Sequence, residues 1–294
     1  MTKGFVHIKT VAERVLTKIT DRGGAACDRR IICGETKIAT GFATLDRELG
    51  GLYPGGVYVV AGRPGMGKTA FALHTVINVL QNAKKPVYYF SNYLNAEELL
   101  LHLISIIAGI EIYSMKRGLL SESQWEAAAK ALTRIADTEF YVSHTLFPEA
   151  ADIAGFIRDE VRDGLVVIDG IQDVCYNGNR PFNSRIMDMA QISAVSRELK
   201  LAAADAGVPL LITSQLTRAL ESRKDKRPNI SDLDNTVGIM LSDCDGAILL
   251  YREAYYMDSE KENKAELILA HNRYGSTATA TVGFDSSTAR FYSI

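Results

Sequence analysis

The residues best suited to chemistry form one run, residues 62–69, with the sequence GRPGMGKT. It fits the pattern G-x-x-x-x-G-K-[ST], in which backbone N–H groups surround phosphates, a lysine reaches their β and γ oxygens, and a hydroxyl holds Mg²⁺. Lys68 and Thr69 are that lysine and that hydroxyl. The pattern predicts a nucleotide site with Mg²⁺, formed by Arg63, Pro64, Gly65, Met66, Gly67, Lys68, Thr69 and Ala70.

The run lies between two elements that can position it. Residues 57–61 are apolar and rich in β-branched side chains, whereas residues 69–80 have the pattern of a helix. Strand, glycine loop and helix is the order that phosphate binding needs, because a helix N-terminus presents free N–H donors and partial positive charge. The glycines let the backbone approach a phosphate closely, since they carry no Cβ.

The composition is that of an ordinary globular protein, with 294 residues, 47% of them hydrophobic, and a formal net charge of -2. The chain as a whole is therefore not a basic nucleic-acid binder, although a local basic lining remains open. The four cysteines lack metal-ligand spacing, which argues against a zinc site. No apolar run reaches the roughly 18 residues of a membrane span, and the N-terminus lacks a signal-peptide core. We expect a cytoplasmic protein with no membrane contact.

From residue 37 onward, strand-like runs alternate with helical segments. The predicted strands are 57–61, 87–91, 140–142, 165–169 and 208–213, and the predicted helices are 44–49, 69–80, 96–108, 121–135, 149–163 and 186–206. This alternation predicts an α/β fold whose mostly parallel sheet is flanked by helices. Further strands at 246–251, 265–270, 279–284 and 290–292 have no helix between them, so we expect C-terminal antiparallel hairpins at one edge.

Residues 1–36 are predicted to be a separate amphipathic helix and connector, followed by one domain at 37–294. Ile8, Val11, Val15 and Ile19 recur every three or four residues, which gives one apolar helix face. That face could fold back on its own domain or dock on a neighbouring subunit, and the sequence leaves both open.

Two polar residues end predicted strands, where open α/β sheets bind their ligands. Asp169 follows four apolar residues and is placed like the second acidic residue of P-loop ATPases, which supports Mg²⁺. A helix cap or turn residue is the alternative. Gln215 closes the next strand, where its amide could sense a γ-phosphate or simply make a structural hydrogen bond.

Several stretches together resemble the motor domain of DnaB-type replicative helicases. The resemblance covers about residues 37–294 and rests on TGFATLD at 40–46, the glycine loop, the strand ending at Asp169, SQLTRALE at 214–221 with KRP at 226–228, YRE at 251–253 and NRYG at 272–275. It implies a RecA-like P-loop NTPase fold and a hexameric homo-oligomeric ring. It also implies ATP and Mg²⁺ at the subunit interfaces and movement along single-stranded DNA.

The same resemblance implies residue roles. Lys68 contacts phosphate, Thr69 and Asp169 hold the metal, and Gln215 couples the γ-phosphate to the DNA-facing loops. Arg273 matches the arginine finger that enters the neighbouring subunit's site. From the sequence alone, Arg273 could equally be a solvated charge at a hairpin tip.

The sequence departs from the family pattern at three places. Tyr93 stands where the family has a glutamate that activates water, and a phenol with a pKa near 10 is a poor base at neutral pH. Asp234 and Asn235 replace an Arg-Glu pair in the DNA-contacting loop, which weakens the expected hold on DNA phosphates. His271 replaces a lysine near Arg273. Glu97 or Glu98, in the following helix, could replace the missing carboxylate.

The sequence thus favours an ATP-binding, ring-forming DnaB-like helicase domain with impaired hydrolysis. The alternatives are a working helicase with another carboxylate in place of the glutamate, and a non-catalytic ATP-dependent assembly or regulatory module of a replication or mobile-element system. A recombinase- or clock-type RecA relative is less consistent with the stretches at 214–216 and 226–228.

Overall fold

The computed structural model describes residues 37–145, 147–178, 189–234, 241–256 and 263–294. The predicted N-terminal helix and connector, Asn235 and the beginning of the helix predicted from residue 186 lie outside these residues. No helix among the described residues is long and apolar enough to cross a membrane.

One nine-stranded sheet organises the described chain. Its strands are β1 Val57–Gly62, β2 Val87–Ser91, β3 Phe140–His144, β4 Leu165–Asp169, β5 Leu210–Gln215, β6 Gly246–Tyr251, β7 Lys264–Asn272, β8 Ala278–Asp285 and β9 Arg290–Tyr292. They lie in the order β3-β2-β4-β5-β1-β6-β7-β8-β9. The pairs from β3 to β6 are parallel, and those from β6 to β9 are antiparallel. The predicted α/β class and the C-terminal hairpins are confirmed.

The helices connect and cover these strands. They are α1 Ala43–Leu49, α2 Lys68–Asn78, α3 Ala96–Ala108, α4 Ile112–Lys116, α5 Glu122–Ala136, α6 Ala150–Glu160, α7 Met189–Ala206 and α8 Ser231–Asp234. A π-helical turn, Val79–Ala83, follows α2, and short 3-10 turns follow β4, β5 and β6.

The sheet separates two apolar layers. In β1, Tyr58 and Val60 pack into one layer while Val57, Val59 and Ala61 pack into the other. Side chains alternate between the faces of a strand, so a parallel strand covered on both sides must be apolar at every position. This requirement explains why the buried strands were visible in the sequence as continuous apolar runs.

Some element boundaries differ from the predictions. Helix α6 ends at Glu160 rather than at residue 163, because Val161 is extended and fully buried. Strand β5 begins at Leu210, after Pro209, and continues through Gln215. The five-residue α4 has no buried residue and was not predicted.

The carboxyl ends of four strands lie side by side and form the platform for the site. Gly62, which ends β1, is in register with Gln215 of β5. On the other side of β5, strand β4 pairs with β2, and Asp169 is in register with Ser91. The polar residues predicted to act together therefore follow adjacent strands of one sheet.

Candidate functional site: a phosphate loop and its carboxylate

The loop between β1 and α2 depends on glycine at two positions. Gly65 and Gly67 have φ values of +79° and +97°, a region in which side chains cause strain. Gly67 is also the N-cap residue of α2. The loop therefore delivers the N-terminus of α2, with its free N–H groups, to the carboxyl end of the sheet, which is the arrangement that binds phosphate.

The Lys68 ammonium is folded back on the loop. Its Nζ donates to the carbonyl oxygens of Gly62 at 3.0 Å and Arg63 at 3.3 Å. Burial lowers the pKa of Lys68 to about 8, although the negative charge of Asp169 opposes this effect. An ammonium that bonds two neutral carbonyls in a half-buried loop lacks a strong counter-charge, so the loop is suited to an anion such as a phosphate.

The predicted metal-binding pair is brought together. Thr69 Oγ1 donates to Asp169 Oδ2 at 2.9 Å. The carboxylate also accepts from the Tyr89 hydroxyl at 2.8 Å and from Thr213 Oγ1 at 2.5 Å. These donors fix the carboxylate within the sheet, so its direction is set before any ligand binds.

These oxygens fit Mg²⁺. A hydroxyl and a carboxylate are hard ligands, and Mg²⁺ is usually held by one or two protein groups together with water and substrate phosphates. Within the described ranges, no three His, Cys, Asp or Glu side chains are grouped so that they could hold a metal ion by themselves. The site thus fits a metal that arrives with a phosphate ligand.

Two further side chains hold the loop from outside. The Arg252 guanidinium donates to the Gly65 carbonyl oxygen at 2.8 Å. The ring of Tyr255 lies so close to Gly65 that a Cβ there would be 2.6 Å from Cε2. The resemblance had pointed to the segment containing Arg252, but nothing in the sequence placed either side chain against the loop.

Arg63 connects the loop to the segment after β5. Its guanidinium is buried and donates to the Leu216 carbonyl oxygen at 2.8 Å and to Glu221 Oε1 at 2.9 Å. Gln215 precedes this segment and is half-buried at the end of β5. The other predicted loop residues differ in burial: Met66 and Ala70 are buried, whereas Pro64 is exposed.

Tyr93 lies beside Asp169, but its hydroxyl is directed to the carboxyl group of Asp173. Its ring is 3.1 Å from the position that a Cβ on Gly170 would occupy. Burial and a hydrogen bond to Asp173 raise the pKa of the Tyr93 phenol well above its usual value. The phenol therefore stays protonated at neutral pH and acts as a donor rather than as a base.

The two glutamates considered as substitutes both lie in the first turn of α3. Glu98 accepts from the backbone N–H of Asn95 in the N-terminal capping box of α3 and pairs with Lys116 at 3.4 Å. That capping bond lowers the pKa of Glu98. Glu97 is exposed on the same first turn.

Arg273 lies at the opposite end of β1 from the glycine loop. Its guanidinium is 3.3 Å from Asp245 and donates to the Ser242 carbonyl oxygen at 2.9 Å. Asp245 also accepts from the backbone N–H of Val57, at the start of β1. Six strand residues, about 17 Å from first to last, separate that end from the loop, so Arg273 is not part of its own chain's phosphate site.

Two of the remaining departures are in described elements outside the glycine loop. His271 is in β7, opposite Ala247 of β6. Asp234 is the last residue of α8, and Asn235 is outside the described residues. Nearby Asp232 accepts from Arg223 at 2.7 Å, which ties α8 to the segment after β5.

Comparisons with known proteins agree with this geometry. Residues 37–293 match the model of the DnaB-like helicase C-terminal domain. The replicative DNA helicase DnaC of Bacillus subtilis is 33% identical over 264 residues, which are 88% of this chain and 57% of the relative. The replicative DNA helicase DnaB of Geobacillus stearothermophilus is 32% identical over 263 residues, with the same coverage. The chain thus spans a little over half the length of these relatives.

Solved structures show the same fold. A DnaB-like replicative helicase, described with its interactions with primase, superposes with a TM-score of 0.82 at 28% identity, covering 99% of this chain and 67% of the other. A solved ATPase domain gives a TM-score of 0.84 at 29% identity, covering 97% and 98%. The RadB recombinase, with a TM-score of 0.54 at 20% identity, shares the fold alone. The RecA-like fold and the resemblance drawn from the motifs are confirmed.

Proposed function

The chain belongs to the family of DnaB-like helicase C-terminal domains, and on that premise we propose that it forms a hexameric ring that binds ATP and Mg²⁺ at its subunit interfaces, acts on single-stranded DNA and hydrolyses ATP slowly. The observation that carries this proposal is the contact of Thr69 with Asp169 beside the Lys68 ammonium. It joins a phosphate-binding loop to a carboxylate suited to Mg²⁺.

Each residue of the site has a distinct task in this proposal. Lys68 and the N–H groups at the start of α2 bind and orient the phosphates, while Thr69 and Asp169 hold the metal. A Mg²⁺ ion held by these two residues would supply positive charge that offsets the charge of the phosphates. Because Tyr89 and Thr213 already fix the Asp169 carboxylate, the site loses little side-chain freedom when it is filled.

The position of Arg273 supports an assembly in which subunits complete one another's sites. It lies at the end of β1 remote from its own loop and is 43% exposed. A second copy in a head-to-tail ring can receive it beside a bound nucleotide. Asp245 and Ser242 would hold the guanidinium at the subunit surface until that contact forms.

Coupling to DNA is supported by the contacts of Arg63. They join the phosphate loop to Leu216 and Glu221, so that a change at the phosphates reaches the segment after Gln215. We expect DNA binding to be weak and salt-sensitive, since the segment around Asp234 is acidic where the family has a cation.

Slow hydrolysis follows from Tyr93. Its protonated phenol cannot take a proton from water at neutral pH, and loss of a general base typically costs about 10²- to 10⁴-fold in rate. The same observation favours a second candidate, a non-catalytic ATP-dependent assembly or regulatory module of a replication or mobile-element system.

Two measurements test these proposals. We expect single-turnover hydrolysis of Mg²⁺-ATP well below about 1 s⁻¹, the lower end of common enzyme rates, with modest stimulation by single-stranded DNA. DNA-stimulated turnover above that rate would contradict slow hydrolysis, whereas hydrolysis below detection would favour the assembly module. Mass photometry with and without Mg²⁺-ATP tests the ring, which a monomer under both conditions would exclude.

A further inference from the structure

Asp173 is a buried acid that the phosphate-site residues do not account for. It ends the 3-10 turn Ile171–Asp173 after β4 and is 8% exposed. Among the described residues its Oδ2 is buried and has no hydrogen-bond partner. Buried polar groups are nearly always paired, so an unpaired carboxylate oxygen requires an explanation.

The carboxyl group lies beside the phosphate site. The Asp173 backbone N–H donates to the Gly170 carbonyl oxygen at 3.3 Å, which brings this residue back toward the end of β4, next to Asp169. The Tyr93 ring packs against the same Gly170, and its hydroxyl is close enough to the Asp173 carboxyl to lower the pKa of that acid. Two elements thus hold Asp173 next to the carboxylate that faces Thr69.

Burial of the Asp173 carboxyl next to Asp169 is unfavourable for the stability of the fold. Burial and the negative charge of Asp169 raise the pKa of Asp173, while the bond from Tyr93 opposes them. No lysine or arginine in the described part of the chain forms an ion pair with Asp173, although the exposed Asp163, at the other end of β4, has one. A buried carboxyl with an unpaired oxygen beside a ligand site is a candidate for function rather than for stability.

We propose that Asp173, held by Tyr93, is the carboxylate that orients the water attacking the γ-phosphate of ATP in this chain. The inference rests on the proposed function and identifies Asp173 as the residue responsible for the slow hydrolysis of ATP. The water oxygen bonds to the γ-phosphorus, the bond to the bridging oxygen breaks, and its electron pair leaves with ADP. One water proton passes to the Asp173 carboxylate and then to solvent. Tyr93 is a positioning residue, since it acts through Asp173.

The decisive variant is Asp173→Asn, which keeps the shape and removes the charge. We expect single-turnover hydrolysis to fall by about 10²- to 10⁴-fold, while the Kd for a fluorescent ADP analogue stays within about twofold. Affinity for the complex of ADP, Mg²⁺ and aluminium fluoride should fall as well, because transition-state mimics respond to groups that act in the transition state. Asp152→Asn, an exposed acid in α6, is the matched control and should change none of these values.

Tyr93→Phe tests the positioning residue. It should leave the Kd for ADP unchanged and weaken binding of the aluminium fluoride complex, with a hydrolysis rate between those of the wild type and Asp173→Asn. A purely structural tyrosine would change both affinities together, and that result would contradict its assignment.

Several outcomes would overturn the proposal. Wild-type rates in Asp173→Asn would do so, as would loss of ADP binding in that variant, which indicates a structural role. Loss of hydrolysis in Glu97→Gln or Glu98→Gln, but not in Asp173→Asn, would transfer the task to α3. A wild-type chain that binds ATP without hydrolysing it would refute the inference and leave nucleotide binding intact, whereas a chain that binds no nucleotide would refute the proposed function itself.

Discussion

The Thr69 hydroxyl donates to the Asp169 carboxylate at 2.9 Å, although 100 residues separate them in the sequence. Thr213, in the intervening strand β5, donates to the other oxygen of that carboxylate. If this pair holds Mg²⁺, Thr213→Val should lower the affinity for Mg²⁺ in the presence of ATP by about 10- to 100-fold. Loss of a residue that hydrogen-bonds a metal ligand typically has an effect of this size. Titration of Mg²⁺ against a fluorescent ATP analogue measures the effect. Thr213→Ser keeps the hydroxyl and should bind like the wild type; equal affinities in all three proteins would contradict the assignment.

Nucleotide affinity should depend on pH through Lys68. Burial lowers its pKa to about 8, so the ammonium is present below that pH and is lost above it in the nucleotide-free protein. Above pH 8 the lysine must take up a proton to bind a triphosphate, and affinity should fall by up to about tenfold per pH unit. Fluorescence titrations from pH 6 to 9.5, with calorimetry in two buffers to count protons, test this. Lys85→Met, which removes a surface ion pair, should keep the same profile; an affinity that stays constant to pH 9.5 would disprove the dependence.

The fold should become more stable when the charge of Asp173 is removed. Its pKa is raised by burial and by Asp169, so the ionised form is disfavoured in the folded chain and stability is lost as pH rises through that pKa. Asp173→Asn should therefore raise Tm at pH 7 by a few degrees, roughly the effect of 1 kcal/mol in a domain of this size. The gain should shrink as pH falls below 3.8, because the acid is then protonated in both the folded and the unfolded chain. Differential scanning calorimetry, from pH 7 down to the lowest pH at which the protein remains folded, measures the difference in Tm. An unchanged or lower Tm at pH 7 would contradict a destabilising effect of the Asp173 charge.

Arg273 should act on the neighbouring subunit. Arg273→Ala should lower hydrolysis by about 10³-fold or more if it is an arginine finger. Its loss should cost no more than about 1 kcal/mol in stability, because the guanidinium is 43% exposed and the buried Asp245 keeps its ion pair with Lys200. Arg197→Ala, which removes another partly exposed ion pair, controls for lost surface charge.

A mixing experiment separates action between subunits from action within one. Lys68→Ala and Arg273→Ala should each be inactive alone. Mixed before assembly, they should recover activity at about a quarter of the interfaces, by random assortment around a head-to-tail ring. A mixture as inactive as its components would place Arg273 outside the neighbour's site.

The sequence revealed the parts of this fold that depend on local chemistry. Strands β2, β4, β6 and β9 matched their predicted bounds, and Ser121 is the N-cap of α5, where the helix was predicted to start. The motif residues 62–69 and the strand-ending Asp169 are likewise local signals, so the pairing of Thr69 with Asp169 followed from the order of elements. Their roles in binding remain predictions.

What the sequence could not reveal depends on contacts between distant segments. The end of α6 is set by the burial of Val161, which is a property of its neighbours rather than of its own residue type. Arg63 and Glu221 are 158 residues apart, and no local pattern pairs them. Nothing in the local sequence marks Asp173, whose position beside Tyr93 depends on the fold.

Strand β1 has the phosphate loop at one end and, through Asp245, the turn containing Arg273 at the other. Its fully buried backbone makes that spacing a rigid property of each chain. If Arg273 completes the phosphate site of a neighbouring subunit, one isolated molecule presents both halves of that site but can never close them on the same nucleotide. The rate of any reaction that needs both the phosphate loop and Arg273 must therefore fall more steeply than the protein concentration on dilution, even while every chain remains folded.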